Sequence, residues 1–164
     1  MRILGVDPGL FITGYSVLEQ NGDRLDIIEA GVIRTKKTDP TEVRLVEISR
    51  ELGEVIKQLQ PDAMAIEELY SHYDHPKTAI IMGHARGVIF LKAAEAHLPV
   101  YPYASTKVKN SLTGNGRASK QQMQLMIMST LSLDQIPEPP DVADALAVAL
   151  CHIRTMDIEK ATSL

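Results

Sequence analysis

Three apolar, β-branched-rich runs at the start of the chain constrain its fold more than any other feature. The first, RILGVD, ends at the turn dipeptide Pro8-Gly9, and the next two are ITGYSVLE and DIIEAGVIRT. Asn21-Gly22-Asp23 separates the last two runs, and such a turn between two strand-like runs predicts a β-hairpin. The start of the chain is therefore expected to form an antiparallel meander of three strands.

Helical and strand-like segments alternate after the meander. Apolar residues at helical spacing predict a helix over about 40–60. AMAIEE and residues 98–103 predict two more strands, with a Gly- and Ala-rich helix between them. The glycines of Thr113-Gly-Asn-Gly116 interrupt the next helical stretch, and a proline-rich linker precedes a last helix over 141–156. This order predicts an α/β fold with a five-stranded mixed sheet, flanked by helices on both faces.

Length and composition exclude several classes of protein. The chain has 164 residues, 45% hydrophobic and 23% charged, as expected of one globular domain rather than a disordered chain. We place that domain at 1–158 and a short tail at 159–164. The single cysteine, Cys151, excludes an internal disulfide and a thiolate metal site. The longest apolar run, 145–151, is too short to span a membrane, and the N-terminus lacks a signal-peptide core, so we expect a soluble cytoplasmic protein.

A segment without acidic residues lies inside an acidic chain. The net charge of the whole chain is −4, yet residues 96–133 contain no Asp or Glu and carry the cations Lys107, Lys109, Arg117 and Lys120. This distribution suggests a local anion-binding surface rather than a basic coat. On charge alone, four solvated cations on a neutral segment are the simpler interpretation.

Carboxylates stand at the ends of two predicted strands. Asp7 closes the first strand, where it could equally serve the Pro8-Gly9 turn. Glu67 and Glu68 end AMAIEE, and strand alternation puts them on opposite faces of the sheet. Small neighbours leave more room around Glu67, but periodicity does not decide between the two. A strand end that reaches solvent is the alternative.

Asp141 and Asp144 open the last predicted helix. Their i, i+3 spacing puts them on one helix face. Asp141, after two prolines, is also typical of an N-cap, and Asp144 at the third helical position would suit the positive end of the helix dipole. Taken by itself, the pair is explained most simply by capping.

Together, the acidic residues predict a metal-dependent site. Chain reversals at sheet ends gather functional groups, and four clustered carboxylates cannot all ionise without cations. Oxygen ligands without paired histidines suit Mg²⁺ or Mn²⁺ better than Zn²⁺. Two such ions about 4 Å apart activate water and stabilise the leaving oxygen in phosphodiester hydrolysis. We therefore expect two Mg²⁺ ions per subunit, with Mn²⁺ as a substitute.

Several motifs resemble the RuvC-type Holliday-junction resolvases of the RNase H-like superfamily. The matching stretches cover nearly the whole chain and are ILGVDPG with TGYSV, PDAMAIEELY, GHARGV, VKNSLTGNGRASKQQM and DVADALAVAL. The resemblance implies an RNase H-like fold and a Mg²⁺-dependent endodeoxyribonuclease that resolves four-way junctions by paired symmetrical nicks in recombination and repair. It puts the family's catalytic, metal-binding acids on Asp7, Glu67, Asp141 and Asp144, and so selects Glu67 over Glu68.

The resemblance also implies contacts with DNA and with partners. A base-stacking aromatic matches Tyr70, with Leu69 beside it, and stacking of a base on such a ring contributes about 1–3 kcal/mol. The basic residues Lys109 and Lys120 match DNA contacts near the site, and the acid-free segment adds Lys107 and Arg117. The Gly- and Ala-rich second helix matches the family's homodimer contact. The implied partners are four-way junction DNA, a second copy of the chain and a RuvA/RuvB-like branch-migration helicase complex.

Departures from the family and rival functions qualify this interpretation. Leu10 and Phe11 follow Asp7-Pro8-Gly9 where relatives often have small or basic residues, and relatives are often basic overall. An actin-like ATPase or sugar kinase shares a similar phosphate turn but needs two such domains. A non-catalytic junction-binding module would not need all four acids, and an RNase H-like enzyme acting on RNA would not need Tyr70 or GNGRASK.

Overall fold

The structure is a computed structural model, and it describes residues 1–68 and 76–163. Strands β1 (Arg2–Asp7), β2 (Ile12–Asn21) and β3 (Arg24–Arg34) open the chain. Helix α1 (Thr41–Leu59) and strand β4 (Ala63–Glu67) follow. The remaining described elements are α2 (Pro76–Glu95), β5 (Val100–Tyr103), α3 (Ser105–Thr113), α4 (Lys120–Leu131) and α5 (Pro140–Thr162).

The strands form one mixed sheet in the order β3-β2-β1-β4-β5. β2 pairs antiparallel with both β1 and β3, whereas β4 pairs parallel with both β1 and β5. The β2–β3 hairpin turns at Gly22, whose φ of 62° is a conformation that glycine adopts without strain. The predicted sheet, with its first three strands antiparallel, is confirmed.

Helices cover both faces of the sheet, because β1 and β4 are apolar on both sides. Side chains from one face of these strands pack against α1 and α2; the strand residues are Leu4, Val6, Met64 and Ile66. Side chains from the other face pack against α3, α4 and α5; these residues are Ile3, Ala63 and Ala65. Burial on both faces fits the continuous apolar runs in the sequence.

Helix α5 lies directly on β1 and β2, where glycines remove the side chains that would keep it away. A Cβ at Gly5 would collide with the carbonyl oxygen of Ala145, and a Cβ at Gly14 with that of Asp141. The two carbonyls are one helical turn apart, so the first turns of α5 pack directly against the backbone of β1 and β2. This close approach fixes the height of the helix above the sheet.

The beginning of α5 corrects two sequence-based expectations. Pro139 is the N-cap residue, and no side chain makes a capping hydrogen bond there. Asp141 is therefore the second helical residue rather than the cap, and Asp144 the fifth rather than the third. Proline favours the first helical position, since its fixed φ suits the helix and its missing N–H needs no partner. Capping does not explain either aspartate.

The end of α5 also lies further along the chain than expected. The helix continues to Thr162 rather than stopping near residue 156, so residues 159–162 of the expected tail are helical. Among the described residues, no helix combines the length and apolar character needed to cross a membrane. The cytoplasmic location stays a prediction.

Candidate active site

Two of the predicted acids lie at the ends of neighbouring parallel strands. Asp7 is the last residue of β1, and Glu67 is the last residue of β4. The carboxyl ends of parallel strands meet at one sheet edge, which is where α/β proteins gather functional groups. Alternation puts Asp7 on the face of Gly5 and Glu67 on the face of Ala65, which is the face that α5 covers. Glu68, which alternation puts on the opposite face, is exposed.

The other two acids reach this edge because of Gly14. Gly14 pairs with Asp7 across β1 and β2, and it is the residue on which the Asp141 backbone rests. The first turns of α5 are thereby seated beside the end of β1. Asp144, one turn further along the helix, lines the same cleft of about 860 Å³ as Asp7 and Glu67.

The electrostatics of Asp7 reflect this crowding. Burial, followed by the charges of Asp144, Glu67 and Asp141, raises the pKa of Asp7 from 3.8 to about 7, and the charge of Lys120 acts in the opposite direction. A carboxyl in this position keeps its proton near neutrality unless positive charge is added. The site thus holds more negative charge than the chain alone neutralises.

Glu67 and Asp144 respond to the same surroundings. Burial raises the pKa of Glu67, and a hydrogen bond with the Ser105 side chain acts in the opposite direction. Burial also raises the pKa of Asp144, which the nearby Lys120 charge counteracts. Two carboxylates with raised pKa values beside Asp7 are typical of a functional site rather than of a solvated strand end.

Two cations of the acid-free segment lie at the carboxylates. Lys109 and Lys120 line a depression of about 270 Å³ together with Glu67 and Asp144. The Nζ of Lys120 is 3.7 Å from Oδ2 of Asp144. Lys120 is also the first residue of α4, where the helix dipole disfavours a positive charge. Its position is therefore not explained by helix stability.

The remaining DNA-contact candidates are not gathered at the carboxylates in the described structure. Lys107 places its Nζ 5.0 Å from the centroid of the Tyr103 ring and lines a separate groove between α3 and α5. Arg117 is exposed on the α3–α4 loop, where its backbone N–H donates to Asn115. Tyr70 and Leu69 lie outside the described residues.

Two residues that the sequence reasoning did not assign belong to the site. Nη1 of Arg86, on α2, donates to the carbonyl oxygen of Glu67, and Arg86 lines the cleft beside it. Ser105 begins α3 directly after β5 and lines both depressions. The position of Ser105 after a parallel strand was a usable signal, because that is the edge where Asp7 and Glu67 lie. Nothing in the sequence around Arg86 indicated a role in the site, apart from its place in the GHARGV motif.

The four acids fit a divalent metal by their chemistry. They offer only oxygen donors, which suit hard cations, and a bound cation would counter both the burial and the neighbouring acids that raise the pKa of Asp7. Within residues 1–68 and 76–163, no three Asp, Glu, His or Cys side chains stand close enough together in the arrangement seen to ligate one ion. The side chains would have to turn toward a bound ion.

Comparison with known proteins identifies the family. Residues 3–152 match the family described as crossover junction endodeoxyribonuclease RuvC. The chain belongs to the RuvC family. The resemblance inferred from ILGVDPG, PDAMAIEELY and DVADALAVAL is thereby confirmed.

Similar RuvC proteins match over most of their length. The chain is 54% identical over 149 residues to crossover junction endodeoxyribonuclease RuvC of Rhodopirellula baltica, which covers 91% of this chain and 84% of that protein. It is 48% identical to RuvC of Caldicellulosiruptor saccharolyticus, over 93% of this chain and 92% of that protein. The solved structure of Thermus thermophilus RuvC in complex with a Holliday junction substrate superposes with a TM-score of 0.91 at 32% identity, covering 97% of this chain and 96% of that one. The expected fold is confirmed.

Proposed function

We propose that this chain is an endodeoxyribonuclease that resolves four-way (Holliday) DNA junctions by paired symmetrical nicks, in recombination and DNA repair. The observation that carries the proposal is the placement of Asp7, Glu67 and Asp144 around one cleft, with Asp141 near enough to help raise the pKa of Asp7 to about 7. The RuvC relatives support the reaction, since they are crossover junction endodeoxyribonucleases. The nuclease domain spans 1–158 in this proposal.

In this proposal, Asp7, Glu67, Asp141 and Asp144 hold two Mg²⁺ ions per subunit, or Mn²⁺ in their place. Bound ions of this kind activate a water molecule and stabilise the leaving oxygen of a phosphodiester. The chain's own residues position Glu67, since Arg86 donates to the Glu67 carbonyl oxygen at the end of β4 and Ser105 lines the cleft beside it. Asp7 must give up its proton to become a ligand.

The proposed function is tested with one synthetic four-way junction and a linear duplex of the same sequence. We expect paired nicks in two opposed strands of the junction, only with Mg²⁺ or Mn²⁺, and ends that a ligase can rejoin. Binding without cleavage under all metal conditions would favour a non-catalytic junction-binding module. Cleavage of RNA–DNA hybrids in preference to junctions, or ATP hydrolysis, would contradict the proposal in favour of the rival enzymes.

Replacing Lys109 and Lys120 with Ala is expected to make junction binding less sensitive to salt. Both side chains lie at the cleft beside Glu67 and Asp144, where an incoming phosphate would displace Lys120 from its carboxylate partner. Each lost phosphate contact lowers the slope of log affinity against log salt by roughly one unit. The measurement is junction affinity in Ca²⁺ over a series of salt concentrations. Lys57→Ala, on α1 in a depression separate from the carboxylates, is the control, and an equal change in slope for it would contradict the assignment.

We also propose that the chain acts as a homodimer through α2. One side of this helix exposes an apolar stripe at helical spacing, Ile80, Gly83, Gly87 and Leu91, with Ile80 and Leu91 exposed by 59% and 58%. A Cβ at either glycine would meet nothing within 4 Å, so another helix could approach the backbone closely. The stripe and the family resemblance support a helix-to-helix contact between two copies.

Leu91→Asp is expected to convert the dimer to a monomer without unfolding it. The side chain is largely exposed within one copy, so the charge costs little there, but it would be desolvated between two apolar helices. Sedimentation or light scattering measures the mass. Val46→Asp, on the exposed side of α1 with 67% exposure, is the matched control and should remain dimeric. A dimeric Leu91→Asp protein would show that the contact lies elsewhere.

The other partner and DNA-contact predictions remain part of the proposal. Base stacking by Tyr70 beside Leu69 is supported by the family resemblance, and phosphate contacts by Lys107 and Arg117 are supported by the charge of the acid-free segment. The family resemblance also supports cooperation with a RuvA/RuvB-like branch-migration helicase complex.

A further inference from the structure

Three depressions adjoin one another along the edge of the sheet that carries the acids. The depression of Lys109 and Lys120 shares Glu67, Ser105 and Asp144 with the carboxylate cleft. The cleft in turn shares Met82 with a third depression of about 360 Å³. A chain of shared residues thus links a basic end, a carboxylate centre and a third surface, which the proposed function leaves unused.

The third depression is mainly apolar. Its lining includes Leu10 and Phe11 from the β1–β2 connection, Ile12 at the start of β2, Ile81 and Met82 from α2, and Asp141 at its border with the acids. Phe11 is 44% exposed there, although phenylalanine is usually buried and the chain contains only two. The apolar lining would desolvate a phosphate without compensation, whereas the face of a base suits it.

The backbone that carries Phe11 is fixed. The Arg44 guanidinium, buried to 5% exposure, donates from Nη2 to the carbonyl oxygen of Leu10 at 3.0 Å and from Nε to Oγ1 of Thr35 at 3.0 Å. Thr35 also donates to the Leu10 carbonyl from Oγ1 at 2.6 Å, and to the Phe11 carbonyl from its backbone N–H at 3.2 Å. The Arg44 guanidinium carbon lies 4.0 Å from the centroid of the Phe11 ring. The ring is therefore presented on a rigid support.

We infer that the Phe11 depression binds the base of a nucleotide flanking the scissile phosphate, with the Phe11 ring in contact with that base. A strand whose phosphate lies at the acids has the depression of Lys109 and Lys120 and the Phe11 depression as its two adjoining surfaces, and only the second is apolar enough to suit a base. Base–aromatic contacts tolerate any sequence, because every base has a π face. Lys37, whose Nζ is 5.3 Å from the ring centroid, adds positive charge beside the ring. The inference rests on the proposed function and extends it to a subsite.

A double-mutant cycle, in which Phe11 is changed in the protein and one base is removed from the substrate, tests the contact between them. Single abasic nucleotides are introduced one at a time at the three positions on each side of the cleavage site of a junction. Single-turnover cleavage and junction affinity in Ca²⁺ are measured for the wild-type chain and for Phe11→Ala. We expect Phe11→Ala to reduce cleavage of the intact junction by at least about fivefold. At one position, the abasic junction should reduce wild-type cleavage to a similar extent and reduce cleavage by Phe11→Ala hardly further.

Two further variants sharpen the test. Phe11→Trp keeps a stacking ring and should cleave nearly as well as wild type, whereas Phe11→Leu, apolar without a ring, should resemble Phe11→Ala. Tyr101→Ala is the matched control, since Tyr101 is an aromatic of similar exposure, 40%, that packs on His152 and lines none of the three depressions. Tyr101→Ala should act independently of the abasic nucleotide, so at every position the two fold-reductions in cleavage rate should multiply.

Distinct results would overturn the inference. If the effects of Phe11→Ala and the abasic nucleotide multiply at all positions while the wild-type chain cleaves, no base contacts Phe11. If Phe11→Ala lowers only the thermal midpoint and cleaves normally, the ring does no more than cover Arg44. Failure of the wild-type chain to cleave any junction would contradict the proposed function, and the subsite with it.

Discussion

Asp7→Asn is expected to abolish junction cleavage and at the same time to make the metal-free protein more resistant to unfolding. The neutral amide is a poorer ligand for Mg²⁺, so cleavage should fall by orders of magnitude. Stability should rise because burial and three neighbouring acids disfavour the ionised Asp7 carboxyl, raising its pKa from 3.8 to about 7. A change that damages function and stabilises the fold is typical of a site held under strain.

The pH dependence of this gain follows from linkage. Below pH 3.8 the Asp7 carboxyl is protonated in the folded and unfolded chains alike, and it affects stability little. As pH rises toward 7, the unfolded chain releases this proton and the folded chain keeps it, so the free energy of unfolding falls. Above pH 7 the penalty is complete and amounts to up to about 4 kcal/mol. Urea unfolding in chelator should therefore show a larger gain for Asp7→Asn at pH 8 than at pH 4.5.

Matched variants separate this effect from a general change in charge. Glu68→Gln removes an exposed carboxylate at the rim of the same cleft and should leave both cleavage and stability nearly unchanged. Glu67→Gln, Asp144→Asn and Asp141→Asn should lose cleavage as Asp7→Asn does, while still binding junctions in Ca²⁺. Normal cleavage by Asp7→Asn would remove this residue from the proposed metal site.

Gly14→Ala is expected to impair folding and cleavage together. Its Cβ would collide with the Asp141 carbonyl oxygen, so α5 must move away from β2 or the strand must bend. Overpacking of this kind typically costs about 1–3 kcal/mol. The displaced helix carries Asp141 and Asp144, and a misplacement of about 1 Å at a reacting centre can lower a rate roughly 100-fold. Thermal unfolding and single-turnover cleavage measure the two effects.

A second glycine provides the control for this substitution. A Cβ at Gly53, in α1, would approach only the Lys92 side chain, which can move aside. Since alanine is the better helix former, Gly53→Ala should be neutral or stabilising by up to about 1 kcal/mol. If Gly14→Ala matched wild type in both measurements, α5 would not be held at the distance that brings its acids to Asp7.

The sequence was sufficient to predict the sheet and to place carboxylates at the ends of β1 and β4, because both depend on local signals. The turn at Gly22 and the apolar runs of β1 and β4 specify strands without reference to distant residues. Asp7 and Glu67 end strands, and the carboxyl edge of a parallel sheet brings such residues together wherever the helices lie. The choice of Glu67 over Glu68 needed the family resemblance.

What the sequence did not reveal depends on contacts between distant segments. The link from Arg86 to the Glu67 carbonyl joins α2 to β4, and the seat of α5 on Gly14 joins the two ends of the chain. The interpretation of Asp141 as a cap was wrong because α5 begins at Pro140, which puts the N-cap at Pro139, two residues earlier. Residues two apart on a helix face different directions, so Lys107 lines a separate groove from Lys109, and its contact with DNA stays a prediction.

The burial pattern of α5 limits where proteins of this family can gain or lose residues. From Val142 to Ile153 every residue except Asp144 is buried, and the first turns of the helix rest on Gly5 and Gly14. Inserting or deleting one residue within this stretch would rotate the following side chains by about 100° and turn Asp144 into the core or a core residue into the cleft. Length variation among relatives should therefore occur before Pro140 or after Ile153, and an alignment gap inside DVADALAVAL would mark a protein that has lost the site.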